Sequence, residues 1–222
     1  MRQKTFLFCL LCLSLGISTS CIDLDNEMDN NGILTIDPPY EPMFQFDEQG
    51  TPYYLNTPTL SQEMQRDVQN EAIGYGWKWM QTFEIRDDGF VNPEDYYKDM
   101  IGVSPTSYYL KSDKELVRYF WSDAIPAMAF LNQGFTMDAK TGIMSDDNNP
   151  SGILPWSFYL RIWSIYKLSG RWYIDTIEPL GSRNDGTGRT HTVWGYSHYY
   201  RMSEAELKQM QEEYSFDYSQ VN

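Results

Sequence analysis

Two apolar runs, Phe158 to Leu168 and Arg171 to Ile177, are separated by nothing more than Ser169-Gly170. Runs rich in Ile, Tyr and Trp on either side of a two-residue link of this kind read as a β-hairpin. The same pattern recurs along the chain. In "WKWMQTFEI", Trp77, Trp79, Phe83 and Ile85 alternate with Lys78, Thr82, Glu84 and Arg86, and "DDG" at Asp87 to Gly89 ends the run, as expected of a half-buried strand. Tyr108 to Leu110 and Leu116 to Trp121 flank the polar "KSDKE", where Ser112 and Glu115 also have capping-box spacing; the hairpin suits the flanking runs better. Ala127 to Met137 and Gly142 to Ser145 flank "DAKTG", and a glycine-rich loop from Gly181 to Gly188 leads into a last strand of about Thr190 to Met202. Short strands joined locally, without alternating helices, predict a mainly β fold: an antiparallel meander closed into a barrel or folded as a sandwich.

Helices are expected only at the edges of this meander. Thr59 and Gln62 have capping-box spacing ahead of Leu60, Met64 and Val68, with Gly74 or Gly76 as the stop. Asn92-Pro93 suits the start of a short helix through Tyr96, Tyr97 and Met100. Ser203 and Glu206 form a second box ahead of Leu207, Met210 and Tyr214. From Ile22 to about Pro58 neither period is sustained, and acids, asparagines and prolines dominate. The chain therefore divides into residues 1–20, residues 21–58 as a tether, and residues 59–222 as one domain.

Residues 1–20 have the layout of an export signal, with Arg2 and Lys4 followed by the apolar Phe6 to Leu15, a run too short to span a bilayer. Small residues then lead to Cys21. The stretch resembles a bacterial lipobox, which implies lipidation of Cys21 and a membrane anchor; an ordinary secretory signal cleaved nearby is the alternative. Cys9 and Cys12 lie in the segment to be removed, so a mature chain retains Cys21 alone and forms no internal disulfide. Asp23, Asp25, Glu27 and Asp29 follow at every second position. They resemble the surface-export signal of Bacteroidota-type lipoproteins, implying an outer-membrane, surface-exposed protein, with a periplasm-facing one as the alternative. With Gly32 as the turn glycine of a calcium loop, Pro38 stands where the bidentate glutamate is required, so no calcium is expected.

Three stretches carry a wider resemblance: Gly76-Trp77, "GFTMDAKTGI" and "YYRMSEAEL". Together they make Trp77 to Met202 similar to the lipocalin-like lipoproteins of Bacteroidota, although Gly76 directly precedes Trp77 where the usual spacing is Gly-x-Trp. The resemblance implies a lipocalin-like β-barrel closed by a tryptophan near the first strand under an arginine from the last. By position, Trp77 or Trp79 would meet Arg201.

Charge and motifs narrow the function by exclusion. Loss of residues 1–20 leaves 15 basic against 31 acidic residues, net −16, a field that repels nucleic acid. The two histidines, His191 and His198, are seven apart on one strand and should face opposite sides, with no third histidine or cysteine cluster; no metal and no cofactor are expected. There is no G-x-S-x-G, and Thr187 stands where a phosphate loop requires lysine. Seven Trp, 17 Tyr and 11 Phe remain, residues that fill β cores or stack on apolar and sugar ligands. The expectation is a noncatalytic lipoprotein that binds a small apolar or glycan ligand near Arg183, Arg189 and Trp163. A structural lipoprotein docking onto an outer-membrane assembly is the alternative.

Overall fold

The computed structural model describes residues 36, 44–46, 52–54, 60–98, 105–122, 124–146 and 159–221. Cys21, the signal segment and the alternating acids lie outside them. Asp37–Asn222 form one compact unit. Within the expected tether, β1 (Phe44–Phe46) pairs antiparallel with β2 (Pro52–Tyr54), so this part of the span is a hairpin rather than an extended run. Its aromatics alternate too briefly for the period to be visible in sequence.

The first helix, α1 (Gln62–Asp67), starts two residues later than Thr59 suggests, because the Ser61 hydroxyl accepts from the Met64 N–H. It runs into a π-helical turn, Val68–Ala72, that stops before Gly74. Then come β3 (Gly76–Arg86), β4 (Val91–Asp95), β5 (Ser107–Leu110), β6 (Glu115–Ser122), β7 (Ala127–Gly134), β8 (Thr136–Asp138) and β9 (Ile143–Ser145). After these follow β10 (Tyr159–Leu168), β11 (Arg171–Asn184), β12 (Thr190–Arg201), α2 (Glu204–Glu213) and the two-residue β13 (Phe216–Asp217). Both capping-box bonds of Ser203 and Glu206 start α2, as expected. Asn92-Pro93 belongs to a strand instead of a helix: the Asp95 carboxylate takes the Thr82 and Tyr97 N–H groups and holds β4 against β3, where edge position tolerates the proline.

The fold is mainly β, built on one sheet ordered β13-β7-β6-β5-β3-β12-β11-β10-β9-β8, with β4 added beside β3. The expected closed barrel is not what the hydrogen bonding draws, since the ladder opens at β13 and at β8. The single strand expected over Ala127 to Met137 is broken at Phe135, whose N–H turns to the Lys114 carbonyl. The β10–β11 hairpin has Ser169 and Gly170 both at positive φ, the turn the sequence demanded. Gly142 at the β8–β9 turn has φ 75°, and a Cβ there would lie 2.5 Å from the Ile162 carbonyl oxygen, so no other residue fits.

One β-bulge decides what the sheet's faces carry. On β3, Trp79 pairs with Tyr199 but Gln81 pairs with His198, leaving Met80 as the extra residue. The bulge shifts the alternation by one, so Phe83 and Ile85 do not share the face of Trp77 and Trp79; Thr82 and Glu84 do. This face is called the Trp77 face, and its opposite the His198 face. The main core lies on the Trp77 face, where Trp77, Leu116, Leu160, Ile174 and Tyr199 pack with Leu60, Val68 and Ala72 of the helical segment. Both faces are buried along β10 to β12, so the reading of a half-buried strand with a wet side fails for Thr82 and Glu84.

Candidate functional site

Following β12 along the Trp77 face from Tyr199, the cross-strand rows grow steadily more polar. Tyr199 lies between Trp79 and Ile174, Ser197 between Thr82 and Thr176, and Gly195 between Glu84 and Glu178. The hydroxyl groups form a relay with a definite direction. Trp79 Nε1–H can only donate, and does so to Thr82 Oγ1 at 2.8 Å. Thr82 and Ser197 hydroxyls are 2.7 Å apart, and Ser197 donates to Glu178 Oε1 at 3.0 Å. The Tyr108 hydroxyl reaches Glu178 Oε2 at 3.5 Å, and Arg118 is the cross-strand partner of Tyr108.

Glu178 is half-buried as a residue, with its carboxyl enclosed by protein atoms. Burial pushes its carboxyl above the usual range, against the opposing pull of the Ser197 bond, the Arg118 charge and the tyrosine hydroxyls. Burial, and then the Glu178 charge, hold Tyr108 and Tyr199 well above the ordinary phenol value. These phenols stay protonated and act as neutral hydrogen-bonding groups. Glu84 in the same row is different: it is fully buried with one oxygen 2.7 Å from Arg86 Nε and the other on Arg183. A carboxylate so neutralised offers no free base to pair with Glu178.

The candidates from sequence are scattered. Arg183 is committed to Glu84 and lies over the Tyr96 ring, Arg189 is exposed, and Trp163 is buried at the β10 bulge beneath Arg161. The expected loop from Gly181 shrinks to five residues, Asp185 to Arg189, because β11 runs on to Asn184. Trp77 is sealed and donates to the Ala72 carbonyl at 3.0 Å. Arg201 does not perform the expected closure over Trp77: its guanidinium sits 3.5 Å from the Tyr75 ring centroid and pairs with Glu71 at 2.9 Å.

The histidines face opposite sides, as their spacing predicts. His198 is fully buried, with Nδ1 2.6 Å from Asp175, whose other oxygen accepts from Ser164 and Tyr196. Its ring stacks on Tyr173 at 5.3 Å. Ser164 bonds the aspartate and not the histidine, so the group lacks the order of a nucleophilic triad and braces the sheet. His191 lies between two hairpin tips, with Nδ1 2.7 Å from Asp87 and Nε2 3.3 Å from Asp185. The Asp87 bond raises the His191 pKa against the effect of burial, with Asp185 and Asp88 adding to the rise. Burial works against Asp87, yet its bonds to His191 and Thr192 hold it low; the Thr187 bonds hold Asp185 at about 2. Ligand atoms of Asp87, Asp88 and His191 fall within 4.8 Å of one another, but His191 Nδ1 is already hydrogen-bonded to Asp87 and Nε2 to Asp185.

Sequence reasoning missed Glu178, Ser197, Thr82, Thr176, Tyr108, Tyr199 and Arg118. One signal was present: Glu178 and Thr176 interrupt the apolar "YIDTIEPL", and a carboxylate inside a buried strand calls for partners. Comparison with protein-family models, with curated proteins and with solved structures finds no match.

Proposed function

We propose that this chain is a noncatalytic lipoprotein, anchored in the outer membrane through lipidated Cys21, whose lipocalin-like domain binds a small ligand at the polar end of the Trp77 face. The observation that carries the binding reading is the convergence of the buried Ser197, Tyr108 and Tyr199 on Glu178, the half-buried member of the group, within a protein face otherwise filled with apolar groups. Buried polar groups cost free energy unless paired, and a binding site is the common reason to retain them.

The lipocalin-like reading draws support from the ends of the sheet. Strand β8 ends the hydrogen-bonded order on one side and β7 stands next to the two-residue β13 that ends it on the other, yet only Phe135 separates β7 from β8 in the chain. Taken as one bent strand, they bring the path through β6, β5, β3, β12, β11, β10 and β9 back to its start. Such a bend curls a sheet around its own interior.

The anchor reading rests on the lipobox resemblance. Cys21→Ser is expected to move the protein from the membrane to the soluble fraction; a variant that stays with the envelope would refute lipid attachment. For the binding site, Tyr108→Phe and Ser197→Ala are expected to abolish ligand-induced quenching of tryptophan fluorescence, read through Trp79. Quenching unchanged in both would exclude this spot.

A further inference from the structure

The His198 face is sealed from water across the width of four strands. Arg161 of β10, Ile177 of β11, Tyr196 of β12 and Phe83 of β3 stand side by side in one row, each 6% exposed or less, and the next row adds the buried Ile85 and Trp194. Large side chains on a sheet reach such exposure only beneath a second layer. Among the described residues, the helices occupy other ground. The helical segment of α1 packs on the Trp77 face, and α2 meets β12 at Tyr200, which donates to Glu206 at 2.9 Å.

We propose that residues 37–58 form this second layer, with the β1–β2 hairpin laid across β10, β11, β12 and β3. Two paired strands of three residues do not hold together alone in water and need a surface to pack on. The segment belongs to the same compact unit as the sheet, and Phe46 within it is half-buried. Its composition is what the face requires. Tyr40, Phe44, Phe46, Tyr53 and Tyr54 suit a cover for apolar side chains, while Asp37, Glu41, Asp47 and Glu48, with no base among them, suit the buried guanidinium of Arg161. Residues 147–158, which join β9 to β10, carry Asp147 as their single acid. The far end of the segment also starts in the right place. The Leu60 N–H donates to the Lys140 carbonyl in the β8–β9 turn, and the Ile162 N–H of β10 donates to the Gly142 carbonyl of the same turn. Chain running back from Leu60 therefore leaves from beside β10. Six residues back to Tyr54 reach about 20 Å when extended, and crossing from β10 to β3 takes three strand spacings, about 14 Å. Where Cys21 carries the anchor, the link to the domain then spans residues 22–36 instead of 22–58, and it holds the sheet within about 50 Å of the bilayer. The inference stands apart from the ligand-binding reading.

The test replaces Phe46 of the full chain by the photoreactive p-benzoylphenylalanine and maps the adducts by mass spectrometry after irradiation. Crosslinks within the chain to Phe83–Ile85, Ile177 or Trp194–Tyr196 are expected. Adducts confined to α2 or β7, adducts between two copies of the chain, or none would overturn the proposal. Hydroxyl-radical footprinting supplies a second reading. Phe46→Asp is expected to raise oxidation of Trp194 and Tyr196 threefold or more while Trp77, in the core on the opposite face, stays protected. Unchanged protection of Trp194 and Tyr196 would overturn the proposal and assign the cover to residues 147–158.

Discussion

Beneath α1, the Trp77 face is closed by Trp77, Leu116, Ile174 and Leu160, and the Trp77 indole N–H is spent on the Ala72 carbonyl. Two rows further along the same strands, the face presents Thr82, Thr176, Ser197 and Glu178, with the Thr176 hydroxyl left without a protein partner. One end gains stability from every group it buries; the other gives some of it up. Strain or unpaired groups of this sort persist where the surrounding structure holds them in place, and they mark sites better than any single residue does.

The largest loss of stability is expected at the apolar end. Trp77→Ala removes a fully sealed tryptophan and the cap on the π-helical turn, and is expected to cost about 3–5 kcal/mol in chemical denaturation. A loss under 1 kcal/mol would mean that the helical segment does not seal this face. At the polar end the sign should reverse. Thr176→Val replaces an unpartnered buried hydroxyl with a methyl of similar size, and is expected to stabilise the ligand-free chain by about 1 kcal/mol. Destabilisation would show that the hydroxyl has a partner in solution.

The smallest effect is expected at the hairpin tips beyond the polar end. His191 has its folded pKa raised, so its contribution is complete below its unfolded value of about 6.5 and is lost as pH rises through the folded value. Asp87 and Asp185 are held low, so their contribution is present above about 3.9 and is lost as pH falls through their folded values. Amide exchange at Asp87–Phe90 and Asp185–Arg189 should therefore be slowest, relative to His191→Gln, between about pH 4 and 6.5. A difference independent of pH would remove the protonated imidazole from the account.

Much of the fold was legible in local pattern because hairpins are local events. Ser169-Gly170 and Gly142 sit at turns that need positive φ, and Ser203 with Glu206 satisfies its own helix start; each needs only near neighbours. Asn92-Pro93 misled because a helix start and an edge strand tolerate the same proline, and pairing with β3 decided between them. The site was less legible still. Glu178 and Ser197 are conspicuous only once β11 and β12 set them side by side on the face that Tyr108 also reaches.

The alternation of large apolar and aromatic residues, broken by turn residues, was enough to determine a mainly β chain with local strand pairing and a capped helix near its end. Which side chains share a face was decided by tertiary structure. A single unpaired residue at Met80 puts Thr82 and Glu84 on the Trp77 face and Phe83 and Ile85 on the His198 face, both pairs buried, because strand side chains alternate with a period of two. That shift arises from pairing with β12, more than a hundred residues away in the chain, and no local window of sequence contains it.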